Sequence, residues 1–283
     1  MKTVKTIIII ASSVLFCACA SLHKAPTAEV MPSNATSEPV AQTPLSPPPP
    51  AMPENYVGEV RNGLKHGLGI YSFATGSQYE GQFFDDLQDG QGKLSFANGE
   101  VYEGEFSNGK MTGHGKHTYS NGDVYIGEFV DSLKQGLGEY RFASGEKYAG
   151  EYAKDKITGK GIWSYRNGDR YEGEFSNGAR HGTGVYYFAS GSRYEGSFES
   201  NQLHGHGTYS YADGREYAGD FFQDQIKGRG TLIYPDGRKY VGNFVSGRYH
   251  GLGKLSFSTD RVPLEGLWND GRFIKYEKAT WHY

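Results

Sequence analysis

The chain has 283 residues and a formal net charge of −3, with acids and bases interspersed along its length. That pattern excludes the basic stripe of a general nucleic-acid binder. Hydrophobic content of 37% with 22 Tyr and 41 Gly excludes a conventional aliphatic core and points to an apolar face built from amphipathic rings. The two cysteines, Cys17 and Cys19, both fall in the N-terminal segment, so a disulfide framework and a thiolate zinc site are excluded as well.

Residues 1–19 read as a signal peptide. Lys2 and Lys5 give a basic start, and Ile7 to Ala18 is an apolar run too short for a spanning helix of about 20 residues. Ala18-Cys19 resembles a bacterial lipoprotein cleavage site, which implies lipid on Cys19 and a chain tethered to a membrane. The competing site is Ala18-Cys19-Ala20 with cleavage before Ser21, which would release a periplasmic or secreted protein without lipid. Ala20 and Ser21 lack the Asp that, by resemblance to enteric lipoproteins, retains such chains in the inner membrane. The expectation is therefore outer-membrane attachment in a bacterial envelope.

Residues 20–54 hold nine of the 11 prolines and no aromatic residue. Such a segment buries too little apolar surface to fold, and its prolines favour extended polyproline II. It is expected to act as a spacer.

A 23-residue period then takes over. Tyr recurs at Tyr56, Tyr79, Tyr102, Tyr125, Tyr148, Tyr171, Tyr194, Tyr217 and Tyr240, giving nine copies over residues 55–262 without an insertion between the first Tyr and the last. A fixed short period means stacked supersecondary units with function on an extended surface. In the sixth copy Tyr171, Gly173 and Phe175 alternate with Glu172 and Glu174, the period of a half-buried strand. A second strand places Gly184, Tyr186 and Phe188 on one face, Val185 and Tyr187 on the other. Between copies stand Ala-Asn-Gly (97–99), Ser-Asn-Gly (120–122), Arg-Asn-Gly (166–168), Ala-Asp-Gly (212–214) and Pro-Asp-Gly (235–237). These predict two-residue type I′ hairpin turns with positive φ at both central residues. The strand glycines predict rings lying flat over bare backbone.

The pattern Tyr-x-Gly-x-Phe, polar turn, His-Gly-x-Gly, aromatic resembles MORN repeats (membrane occupation and recognition nexus). The match has departures: Val60 stands for the second aromatic in copy one, and the His is kept only at His66, His181, His204 and His250. The resemblance implies an all-β, elongated, solenoid-like fold: a twisted single-layer antiparallel sheet of nine 23-residue β-hairpin repeats. At the end Pro263 occupies the place of a tenth Tyr, and Leu264, Gly266 and Trp268 restart the motif one residue late. Residues 263–283 are expected to be a partial repeat and cap, because an open sheet edge needs covering.

No constellation points to catalysis. Gly-x-Gly lacks the third glycine, helix and acid of a dinucleotide fingerprint. His204 with His206, and His114 with His117, offer two metal ligands at most, and turn histidines satisfied by backbone groups are the bland alternative. Glu105, Glu128, Glu151 and Glu174 are equivalent, so they read as a solvated face paired with Lys147, Arg170 and Arg193 across strands, not as a tuned acid–base pair. The expectation is a non-enzymatic protein with no cofactor and no metal.

The aromatic face is the candidate surface. A single layer cannot bury both faces unless it curls or something docks on it, so rings left exposed would form an interaction strip. Tyr125, Tyr148, Tyr171, Tyr194, Phe129, Tyr152, Phe175 and Phe198 are the candidate ligand-facing residues. The leading expectation is an envelope-anchored scaffold that binds a protein partner or self-associates. The alternatives are cell-wall glycan stacked on the rings and direct phospholipid binding, the latter weakened by the lack of a basic patch.

Overall fold

The computed structural model describes residues 55–277, so the leader, Cys19, the spacer and Trp281 lie outside the described residues. The described residues fall into two compact units, residues 55–189 and residues 190–277. The first holds β1 (Asn55–Arg61), β2 (Leu64–Ser72), β3 (Gln78–Phe84), β4 (Leu87–Ser95), β5 (Val101–Ser107) and β6 (Lys110–Thr118). It continues with β7 (Val124–Val130), β8 (Leu133–Arg141), β9 (Lys147–Ala153), β10 (Lys156–Ser164), β11 (Arg170–Ser176) and β12 (Ala179–Tyr187). The second holds β13 (Arg193–Glu199), β14 (Gln202–Ser210), β15 (Glu216–Phe222), β16 (Gln225–Ile233), β17 (Lys239–Val245), β18 (Arg248–Ser256), β19 (Leu264–Asn269) and β20 (Arg272–Tyr276). In each unit every strand pairs antiparallel with the next in the chain. The expected all-β antiparallel meander of hairpin repeats is what the chain forms.

The recurrent register explains why the same residue types return. Gly104 of β5 sits opposite Gly115 of β6, and Tyr102 opposite His117. A Cβ at Gly104 would lie 2.6 Å from both the Gly115 Cα and the Tyr102 hydroxyl. The glycine pair is therefore the bed on which the ring lies flat, as the spacing predicted. The Tyr102 hydroxyl reaches over it and donates to the Glu105 carbonyl at 3.0 Å. Tyr79, Tyr125, Tyr148 and Tyr171 make the same bond to the residue three places on.

From Tyr79 on, the ladder tyrosines are gripped edge-on by the rings of their own and the next repeat. Tyr79 meets its own Phe83 and the next repeat's Phe106, both at 5.0 Å and 84°. Tyr102 meets Phe106 and Phe129 in the same way. In the second unit Tyr194 meets Phe198 and Phe221, and Tyr217 meets Phe221 and Phe244. Such T-shaped pairs add about 0.5–1.5 kcal/mol each beyond area burial, so the ladder is a large share of what holds the array together.

The turns between copies differ from the type I′ expectation at Asn-Gly. At residues 96–100 the Gly99 N–H donates to the Phe96 carbonyl and the Phe96 N–H to the Glu100 carbonyl. Only Gly99 has positive φ (+90°). This is a three-residue loop, a type I turn followed by glycine in the left-handed region. The Asn serves as a side-chain acceptor: Asn98 Oδ1 takes the Glu100 N–H, and Asn121 Oδ1 the Asp123 N–H. An Asx residue bonding the backbone two residues on stabilises the turn without itself needing positive φ. The type I′ geometry lies at the opposite end, inside each repeat. There Asn62-Gly63, Asp85-Asp86, Asn108-Gly109 and Asp131-Ser132 carry positive φ at both positions. These tips link successive repeats: the Asp86 N–H donates to the Lys65 carbonyl at 2.9 Å, and Asp86 Oδ1 accepts the Lys65 N–H at 2.8 Å.

β19 and β20 form the partial repeat. Gly266 pairs with Gly253 and Trp268 with Gly251, the places that Gly242 and Phe244 take against Gly230 and Gly228 in the copy before. Trp268 is 1% exposed, packs on Tyr240 and Tyr249, and donates Nε1–H to the Gly253 carbonyl. The last six residues lie outside the described region.

Candidate binding surface

The eight rings expected to face a ligand are buried instead. Tyr125, Tyr148, Tyr171 and Tyr194 are 0% exposed, and Phe129, Tyr152, Phe175 and Phe198 are 2–4% exposed. The reason is the ladder just described: glycine beds let each Tyr sink flat, and the Phe of two repeats closes over its edges. These rings are core, and a ligand meeting the native array does not touch them.

The core also takes polar groups that the repeat pattern concealed. One inward column reads Lys65, Gln88, Met111, Lys134, Ile157 and Arg180 in the first unit, then Leu203, Ile226 and Tyr249 in the second. Lys134 Nζ donates to the Tyr119 hydroxyl at 3.2 Å and lies 5.2 Å from the Tyr140 ring centroid. Burial pushes its ammonium pKa down, while Asp155 and Asp123 hold it up. Asp123 and Asp169 are buried acceptors. Each takes a Tyr hydroxyl (Tyr140, Tyr186) at 2.8 Å and a backbone N–H of the next turn (Ala143, Ala189). Each of these groups is engaged in structural bonds, which is the role expected of buried polar atoms.

The recurring carboxylates have a specific structural job in place of the expected solvated pairing. Glu105, Glu128, Glu151 and Glu174 each fold over a positive-φ glycine and accept the N–H of the residue between the two glycines: His114, Leu137, Lys160 and Thr183. Gln82 does the same for the Gln91 N–H at 2.8 Å. Lys147, Arg170 and Arg193 pair with Glu139, Glu172 and Glu195. Because an amide serves at Gln82, charge is not required. Glu128→Gln should leave stability within about 0.5 kcal/mol, whereas Glu128→Ala should cost about 1 kcal/mol, read from urea unfolding midpoints.

Three of the four candidate histidines face acids, not the backbone groups expected. His117 Nε2 lies 3.1 Å from Glu100 Oε2, and His204 and His206 face Glu199 and Asp220 respectively. His114 and His117 fall on opposite faces of β6, so they do not converge on one ion. Among the described residues no group of three potential metal ligands comes together.

What remains open is the outward face. In the first unit a groove of about 730 Å³ crosses β3 to β7, floored by Gly92, Gly104, Gly115 and Gly127. Its walls are Glu80, Lys93, Glu103, Lys116 and Ile126 along one ridge, with Gln91 and His114 along the other. Lys93 and Glu103 pair across it at 3.5 Å. A second groove of about 470 Å³ follows over Gly161 and Gly173, lined by Ile162, Lys160, Glu172 and Thr183. Exposed apolar side chains mark this face: Val57, Leu68 (62%), Ile126, Leu137 (63%) and Ile162. No periodic signal marked it, because its residues vary from copy to copy.

The MORN-repeat sequence profile matches residues 56–78, 79–101, 102–124, 125–147, 148–170, 171–193, 194–214, 217–237 and 240–260. No curated protein matches the chain. Among solved structures, the TCP10 domain of Danio rerio CPAP in complex with a STIL peptide is 12% identical. The overlap covers 76% of this chain and 98% of that one, with a TM-score of 0.42. The Drosophila melanogaster SAS-4 TCP domain, solved with a proline-rich motif of Ana2, is 16% identical over 69% of this chain and 94% of that one, with a TM-score of 0.34.

Proposed function

The chain belongs to the MORN-repeat family, and from that premise we propose that it is a non-enzymatic scaffold whose outward sheet face binds a protein partner. The observation that carries this reading is the division of the two faces. The conserved-spacing rings are spent on the core, while variable, partly apolar side chains and the glycine-floored grooves remain accessible. Exposed apolar strips rimmed by polar residues are typical of interaction sites. The equivalent acids are occupied as backbone acceptors, which supports the absence of an acid–base pair. Glycan stacking on Tyr148 and Tyr171 loses its support, since both rings are covered. Phospholipid binding through the array finds no basic patch: Lys93 faces Glu103, and Lys147 faces Glu139.

Anchoring belongs to the same proposal. Lipid on Cys19 would tether the chain to the bacterial outer membrane, and the proline-rich stretch before Asn55 would hold the array away from it. The motivation is the basic start, the short apolar run and Ala18-Cys19. One experiment tests both parts: the tagged full chain is expressed in its source cells, and its captured partners and membrane association are read together. Leu137→Glu should abolish capture without unfolding the array. Cys19→Ser should move the chain to the soluble fraction. Capture indifferent to Leu137→Glu would sink the surface assignment, and a Cys19→Ser chain that stays with the membrane would sink the lipid.

A further inference from the structure

One row of outward side chains is its own complement when read backwards. Ile70 stands opposite Glu80, Glu80 opposite Lys93, Lys93 opposite Glu103, Glu103 opposite Lys116 and Lys116 opposite Ile126, so they form a continuous line across β2 to β7. All of them are exposed. From β2 the line runs apolar, acid, base, acid, base, apolar. From β7 it runs apolar, base, acid, base, acid, apolar. The central charges, Lys93 and Glu103, pair with each other at 3.5 Å. The outer two, Glu80 and Lys116, have no ion pair among the described residues. The row thus presents an uncompensated acid and an uncompensated base, each beside an exposed isoleucine and equally far from its midpoint.

A two-fold axis along the strands, between β4 and β5, turns that symmetry into an interface. Two copies related by it lie face to face, with β3 over β6 and β2 over β7. Glu80 then meets Lys116 of the second copy, Lys93 meets its Glu103, and Ile70 meets its Ile126. Each contact occurs twice, as an isologous interface requires. Stacked sheets sit about 10 Å apart, a gap that a lysine and a glutamate span end to end. The neighbouring row agrees, since Gln82 falls opposite the second copy's His114 and Gln91 opposite its Glu105. The same axis sets β1 over β8, where Val57 and Leu137 are exposed in adjacent rows. Other arrangements oppose like charges. An axis between β5 and β6 puts Glu80 on Glu139, and an axis running along the row itself puts Glu80 on Glu80. Such repulsion selects one register. Strands about 4.8 Å apart and residues about 3.4 Å apart give β2 to β7 a footprint of about 29 Å by about 20 Å, roughly 600 Å² of each copy. The total just clears the roughly 1,000 Å² of a specific interface, so a dissociation constant on the order of 10 µM is expected.

We infer that two copies of this chain pair face to face through the outward row of β2 to β7. The inference rests on the outward face being a protein-binding surface, and it names the occupant as a second copy. Pairing covers the glycine-floored groove, so any other partner for this stretch competes with self-association.

The test is sedimentation equilibrium of the full chain in density-matched detergent, from about 1 to about 100 µM. The native chain should dimerise, and less tightly as salt is raised. Glu80→Lys and Lys116→Glu each set two like-charge pairs across the axis, so each should weaken dimerisation at least about tenfold. An equimolar mixture of the two variants should form heterodimers of near-native affinity, because both crossed pairs are then opposite in sign. The chain carrying both substitutions should dimerise as the native one does. Circular dichroism checks that each variant keeps its sheet. A native chain that is monomeric at about 100 µM would overturn the pairing. Single variants that dimerise as the native chain does, or a mixture that stays monomeric, would overturn it too. A monomer whose capture of a different protein still depends on Leu137 would overturn self-pairing and leave the binding role of the outward face standing.

Discussion

Raising the pH above 10 should unfold the array in one cooperative step, with tyrosinate formation and loss of sheet coinciding. The tyrosines of the ladder are buried neutral, and each donates its hydroxyl proton to a backbone carbonyl. Burial, reinforced by the Asp89 charge, pushes the Tyr79 pKa up to about 12. Burial likewise raises Tyr102, Tyr125, Tyr148, Tyr171, Tyr194, Tyr217 and Tyr240. A group whose folded pKa lies above its unfolded value gives stability that is complete below the unfolded pKa of 10 and lost as pH rises toward the folded value. Between pH 10 and 12 the unfolded chain sheds these protons while the native one must keep them. Discounted to about 1 kcal/mol each for partial hydration of the hydroxyl edges, eight such groups still match the whole stability of an ordinary domain, about 5–15 kcal/mol. Absorbance of tyrosinate and far-ultraviolet circular dichroism, followed against pH, should give superimposed transitions. Gradual titration near pH 10 with the sheet intact would show that the rings are not sealed as described.

The second large effect is expected at the glycine beds. Gly104→Val should cost at least about 3 kcal/mol, at the upper end of the range for overpacking. The new side chain meets the Gly115 Cα and the Tyr102 hydroxyl at 2.6 Å, so the ring must leave its bed and release Phe106 and Phe129. Tyr102→Phe keeps the ring and loses one hydrogen bond, so it should cost about 1 kcal/mol. Combining Gly104→Val with Tyr102→Ala separates the two causes. If the clash with the ring dominates, the double variant is more stable than the sum of the singles by more than about 1 kcal/mol. Strict additivity would mean that the glycine serves the backbone pairing alone.

Much of the fold was legible because two periods coincide. The 23-residue recurrence of Tyr located the repeats, and the alternation Tyr171, Gly173, Phe175 against Glu172, Glu174 located one strand and its buried face. The second glycine of each pair was readable as bare backbone beneath a ring, and Leu264, Gly266 and Trp268 as a final, displaced copy. Turn chemistry was less legible. Asn98-Gly99 satisfies the two-residue hairpin rule on paper, but the pairing of Phe96 with Glu100 closes a three-residue loop in which Asn works through its side chain. The true type I′ tips include Asp85-Asp86 and Asp131-Ser132, where repeat-to-repeat bonding, not glycine, holds positive φ.

The binding surface was misread for a related reason. A single sheet layer suggested rings with nothing to cover them, and sequence spacing alone does not reveal that each Phe reaches the Tyr of the preceding repeat. Once that contact is made the ring face is sealed, and the variable positions become the accessible ones. Glu128 looked like a solvated acid because its partner, the Leu137 N–H, is exposed only by the bulge between the two glycines. Lys134 and Arg180 occupy a column whose neighbouring copies carry Met111, Ile157 and Leu203. Their burial depends on Tyr hydroxyls that the sequence separates from them by 15 residues.

The placement of the binding face is tested most directly by photocross-linking in the source cells, with a photoreactive residue placed in turn at Leu137, at Ile126 and at the turn residue Lys154. Partner adducts from Leu137 and Ile126, with none from Lys154, are the expected result. Adducts confined to Lys154, or none from any of the three, would contradict binding through the outward face.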